Sequence, residues 1–141
     1  MKKFNIILAL VLVFAFVGCT TEPDDGPELT VVYVITRADW EASKINPTNT
    51  ITASERFMLH YIGKSPNENL TGFGMTIKSG TTLISTEESP FANIVSRTPL
   101  FSFVTGIYTL AAGTYTIDVY VVDAKNKKSN TKSVSITVTE R

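Results

Sequence analysis

Beyond residue 28, apolar and polar side chains alternate with a period of two, β-branched residues are dense, and no helical run of ten or more appears. The sharpest case is 114–123, where Tyr115, Ile117, Val119 and Val121 face one way and are answered by Val134, Ile136 and Val138 in 132–139. Between these runs the polar segment 125–130 predicts a reversal, with Asn126 best suited to a left-handed backbone. The other face of this pair carries Thr114, Thr116, Asp118 and Tyr120 beside Ser133, Ser135, Thr137 and Thr139, and reads as wetted. Upstream, the pattern predicts strands at 29–37, 55–63 and 100–109, with a hairpin of 73–78 and 81–85 turning at Ser79-Gly80. In 55–63, Phe57, Leu59 and Tyr61 oppose Met58, His60 and Ile62, as in a central or partly covered strand. Segment 38–50, with Trp40 and Pro47, reads as a long loop, and 65–69 as a turn. Segment 86–99, with Glu87, Glu88, Pro90 and Pro99, reads as a crossing connection with room for a short helical turn. No repeat recurs, so these elements form one unit.

The amino terminus follows another pattern. Lys2 and Lys3 precede an unbroken apolar run from Ile6 to Val17, which ends at Gly18 and at Cys19, the single cysteine of the chain. This is the layout of an export signal. A transmembrane helix needs about 20 predominantly apolar residues, more than this run supplies. Phe16-Val17-Gly18-Cys19 resembles the lipobox of bacterial lipoproteins, although that pattern prefers Leu where Phe16 stands. The resemblance implies cleavage before Cys19, a diacylglycerol thioether on its sulfur, and residence in the bacterial outer membrane. One acyl chain binds a membrane only marginally, whereas two or more hold it stably. A lone cysteine in an exported chain has no disulfide partner, and lipidation accounts for it.

Residues 20–28 are too polar and too rich in Pro and Gly to pack, and read as an extended acidic tether. Glu22, Asp24 and Asp25 also resemble the surface-export signal of Bacteroidetes lipoproteins, with a solvated linker as the plain alternative. The expected organisation is a signal peptide at 1–18, lipidated Cys19 and tether at 19–28, and one domain at 29–141. Of the 13 basic residues, Lys2 and Lys3 leave with the signal, so 11 remain against 13 acidic ones. That balance gives no electrostatic footprint for nucleic acid. The domain is long enough for a real core, for which Phe57, Tyr61, Phe73, Phe101, Phe103 and Tyr115 are the natural material.

Ala112-Gly113-Thr114-Tyr115-Thr116-Ile117, followed by Val119, Val121, Asp123 and the polar hairpin into 134–138, resembles the last strand pair of bacterial immunoglobulin-like domains, including the polycystic-kidney-disease repeat type. The resemblance implies an all-β fold, a single immunoglobulin-like β-sandwich of about seven antiparallel strands. It also implies a structural corner, in which the Tyr115 hydroxyl bonds back to the chain. Ile117 stands where antibody-type domains carry their second cysteine, and Trp40 precedes the second strand, so this is not a disulfide-linked variety. Trp40 is expected to plug an open end of the sandwich, with exposure as a contact residue the alternative.

Little here supports catalysis. His60 is the only histidine and reads as a strand residue with a satisfied ring. With Cys19 lipidated, the ligands of a hydrolytic zinc site are missing. Gly72-Phe73-Gly74 lacks the further glycine, lysine and helix of a phosphate loop. Glu87-Glu88 reads as a solvated loop. Asp39, Glu41, Asp123 and Asn126 are loop oxygens a calcium ion would need, without forming a dense ligand run. The lysines at 125, 127, 128 and 132 read as a solvated hairpin with a protected edge, with contact to phosphate or an anionic polysaccharide as the sharper alternative. The expectation is a protein that is not an enzyme and needs no cofactor or metal. It would bind membrane lipid through acylated Cys19 and an envelope protein or glycan through its domain. Trp40 and Tyr120 are the candidate ligand contacts.

Overall fold

A computed structural model describes residues 25–95 and 101–141. The elements are β1 (Glu28–Thr36), α1 (Arg37–Glu41), β2 (Thr50–Thr52), β3 (Phe57–Lys64), β4 (Leu70–Ser79), β5 (Thr82–Val95), β6 (Phe101–Tyr108), β7 (Gly113–Asp123) and β8 (Lys132–Thr139). One sheet has the order β1-β3-β6 and the other β2-β8-β7-β4-β5. Placing β3 with β6 in one sheet, and β4, β7 and β8 in the other, reproduces the partition of an immunoglobulin sandwich. The chain is therefore all-β and immunoglobulin-like.

Strand alternation sets the core between the sheets. Phe57, Leu59 and Tyr61 of β3 meet Phe73, Met75 and Ile77 of β4 and Tyr115, Ile117, Val119 and Val121 of β7, all buried. Each fully buried side chain of this size contributes about 1.5–3 kcal/mol. Tyr61 and Phe73 lie with ring centroids 6.2 Å apart, and Phe73 stacks on Phe91 at 5.8 Å. Ile117, at the position of the missing cysteine, is fully buried, so packing replaces the cross-sheet bond. The Tyr115 hydroxyl donates to the Ala111 carbonyl at 3.0 Å and closes the turn that leads into β7. In the reversal after β7, Asn126 has φ 61°.

Several elements differ from the sequence pattern. The crossing connection expected at 86–99 is, through Val95, the continuation of β5 along β4. β5 is the outer strand of its sheet, where a proline costs no ladder bond on the solvent side. Pro90 faces Gly72 next to a register shift, which absorbs it. The loop at 38–50 contains α1, and at its end lies the three-residue β2, which runs parallel to β8. Among the described residues that makes eight strands and one parallel pair, where about seven antiparallel strands were expected. Packing also starts before Leu29, since Pro27 is buried and the Asn67 side chain donates to the Asp25 carbonyl at 3.1 Å. The signal segment, Cys19, residues 20–24 of the tether, Pro99 and the Phe103 side chain lie outside the described residues.

Candidate functional site

The outer face of the five-stranded sheet holds a trough. Its origin is the Gly-x-Gly of β4: with a period of two, Gly72 and Gly74 lie on the same face and present no side chain there. Gly72 sits between Pro90 of β5 and Val122 of β7, and Gly74 between Glu88 and Tyr120. The Tyr120 ring lies across Gly74, where any Cβ would collide with it. This seats its hydroxyl against Glu88, to which it donates a hydrogen bond. A Cβ on Gly72 would come within 2.8 Å of the Ser89 carbonyl oxygen, so the floor must remain glycine. The resulting trough has a volume of about 420 Å³, with Pro90 and Val122 as apolar walls and Glu88, Asn126 and Lys128 at its polar rim.

The rim is a closed charge cluster. The Lys128 ammonium donates to Glu88 Oε1 at 3.1 Å and to the Tyr120 hydroxyl at 2.9 Å, and stands 4.4 Å from the centre of the Tyr120 ring. Hydrogen bonds from Tyr120 and then Lys128 hold the Glu88 carboxyl below its ordinary range. The bonds to Tyr120 and Glu88 in turn raise the Lys128 ammonium. Lys125 pairs with Glu68 at 2.6 Å, so Lys125 and Lys128 of the hairpin are drawn into separate ion pairs. Glu87 points to the opposite face of β5 from Glu88. Burial, with the Glu87 carboxylate close by, pushes the Tyr108 phenol up to about 12. The pair expected in a solvated loop is thus split across the two faces of an edge strand.

The hairpin beside the trough is held from within. Asp123 is only 2% exposed, and its Oδ1 accepts the backbone N–H groups of Lys125 and Lys127, each at 2.8 Å. Its oxygen therefore serves the turn. Asp39 and Glu41 lie on α1, at the other end of the sandwich, and among the described residues no three His, Cys, Asp or Glu side chains are grouped to hold a metal ion.

Trp40 is 44% exposed, and the plug reading does not hold. Its helix is a single turn with no buried residue. The turn is well fixed: the Thr36 side chain accepts from the Asp39 N–H at 3.1 Å, and Ser43, at φ 57°, lets Lys44 N–H reach the Asp39 carbonyl at 2.8 Å. These caps present Trp40 to solvent. Asn130 of the hairpin bonds both backbone groups of Leu29, so the trough lies by the start of β1 and Trp40 beyond its end. Nine residues of strand separate them by roughly 25–30 Å. The two candidate contacts do not share one site.

His60 is 3% exposed, with Nε2 2.6 Å from Ser102 Oγ and the Tyr33 ring edge-on at 4.9 Å. Burial lowers its pKa. Its Nδ1 has no hydrogen-bond partner, so the ring is satisfied on one side only and no carboxylate orients it. The serine escaped the sequence reading because the contact spans 42 residues. A serine and histidine without a third group lack the geometry of a nucleophilic triad.

No protein-family model matches the chain, and no curated protein matches it in sequence. Among the solved structures that resemble it are the following two. One is the PKD domain of an M14-like peptidase from Thermoplasmatales archaeon SCGC AB-540-F20, at 17% identity and TM-score 0.48, covering 82% of this chain and 97% of that one. The other is a CARDB domain from Pyrococcus furiosus, solved in complex with di-metal ions, at 12% identity and TM-score 0.41, covering 82% and 96%. Both scores fall below one half, so the fold rests on the strand order and the tyrosine corner.

Proposed function

We propose that the chain is a membrane-anchored lipoprotein of the bacterial cell envelope, in which a noncatalytic immunoglobulin-like domain binds another surface protein or a glycan. The observation that carries this reading is the trough floored by Gly72, a preformed concavity with apolar walls and a polar rim on a rigid sheet. The anchor rests on the run from Ile6 to Cys19. The described domain starts at the trough end of the sandwich, so a tether from Cys19 would hold that end nearer the membrane and Trp40 farther out. Carbohydrate binding through exposed aromatics is the second reading, favoured by Trp40, which a two-sided cap holds in solvent. Expressing Cys19→Ser in cells fed a fatty-acid probe tests the anchor. Loss of label and release from membranes support it, and continued labelling contradicts it.

A further inference from the structure

We infer that the trough takes one neutral pyranose unit of a glycan, seated on its C–H face over Gly72 between Pro90 and Val122. This rests on the reading of the domain as a binding module and names the ligand class of its site. Three observations converge. The first is the shape: about 420 Å³ falls within the range of small-molecule sites, roughly 300–1,000 Å³.

The second is charge. Glu88 and Lys128 neutralise each other at 3.1 Å, and the remaining polar side chain of the rim is the neutral Asn126, so the rim offers no excess charge to an ion of either sign. The third is the mix of polar groups. A sugar hydroxyl both donates and accepts, and the rim supplies the Glu88 carboxylate as acceptor, the Lys128 ammonium as donor, and the Asn126 amide, which does both.

Tyr120 does not serve as a stacking platform. Gly74 lies under its ring, and Lys128 stands beside it on its way to the hydroxyl. Tyr120 is the end wall, and its hydroxyl holds Glu88 and Lys128 in place. The apolar seat is Pro90 and Val122, whose aliphatic surfaces match the C–H face of a pyranose.

The test applies the full chain in detergent micelles to an array of neutral hexose and N-acetylhexosamine oligosaccharides and their uronate-containing counterparts. Binding to neutral glycans is expected, and Pro90→Lys and Lys128→Met should each weaken it roughly tenfold or more, the loss of one good contact. Both positions are exposed, and thermal unfolding of each variant shows that the fold is kept. Binding confined to uronate-containing glycans, or lost in Trp40→Ala while both trough variants bind normally, overturns the inference. No glycan binding at all also overturns it. The anchored-module reading is decided separately by the Cys19→Ser labelling.

Discussion

Tyr115→Phe isolates the hydrogen bond that closes the corner. The ring is 8% exposed and packs in the core, so phenylalanine keeps its apolar contacts and removes only the donor to the Ala111 carbonyl, 3.0 Å away. An intramolecular hydrogen bond between neutral groups contributes about 0.5–1.5 kcal/mol net. Ala111 is exposed, so water can replace the lost donor and the cost should fall in the lower half of that range, about 0.5–1 kcal/mol. With a urea m-value of about 1–3 kcal/mol/M, the midpoint should move down by roughly 0.2–1 M at unchanged slope. Paired urea titrations of wild type and variant, read by far-ultraviolet circular dichroism, measure it. Tyr115→Ala serves as a scale, since it also removes the ring and should cost about 3–5 kcal/mol, the range for a large aromatic in a core. Coincident Tyr115→Phe and wild-type curves would refute the corner's contribution to stability.

Other outcomes follow from the same geometry. Asp123→Ala leaves two turn amides without their carboxylate and should cost about 2–3 kcal/mol, as for hydrogen bonds to a charged group, measured by the same titration. Trp40 is the only tryptophan, so its fluorescence should be red-shifted and strongly quenched by acrylamide; a blue-shifted, protected signal would contradict its exposure. Thr36→Ala removes the cap of α1 and should cost about 0.5–2 kcal/mol. Burial depresses the His60 pKa in the folded chain, so the unfolded chain takes up the proton first as pH falls. The stability present above the unfolded value near 6.5 should therefore decline from there down to the folded pKa, and this slope should vanish in His60→Leu. Thermal melts between pH 7 and 5 decide it.

The sheet interior was legible because alternation alone determines which face is buried. Tyr115, Ile117, Val119 and Val121 face inward as their spacing requires. The course of 86–95 was not legible, because proline and paired glutamates mark turns by composition but are equally at home in an edge strand, and only the pairing with β4 reveals that strand. α1 spans five residues, too few for any period to show. Tyr120 was legible as a candidate, but its partners were not: Glu88 lies 32 residues away, and their meeting depends on the register of three strands. The missed signal was Gly72-x-Gly74. It fails as a phosphate loop, yet inside a strand it leaves two adjacent vacancies on one face, which neighbouring side chains then enclose.

The anchor is decided by where the mature chain begins and what the Cys19 sulfur carries. Mass spectrometry of the amino-terminal peptide from the native protein, isolated from its own membranes, reads both. A peptide starting at Cys19 with a diacylglycerol thioether is the expected result. A chain still carrying residues 1–18, or one with a free Cys19 thiol, would contradict the account.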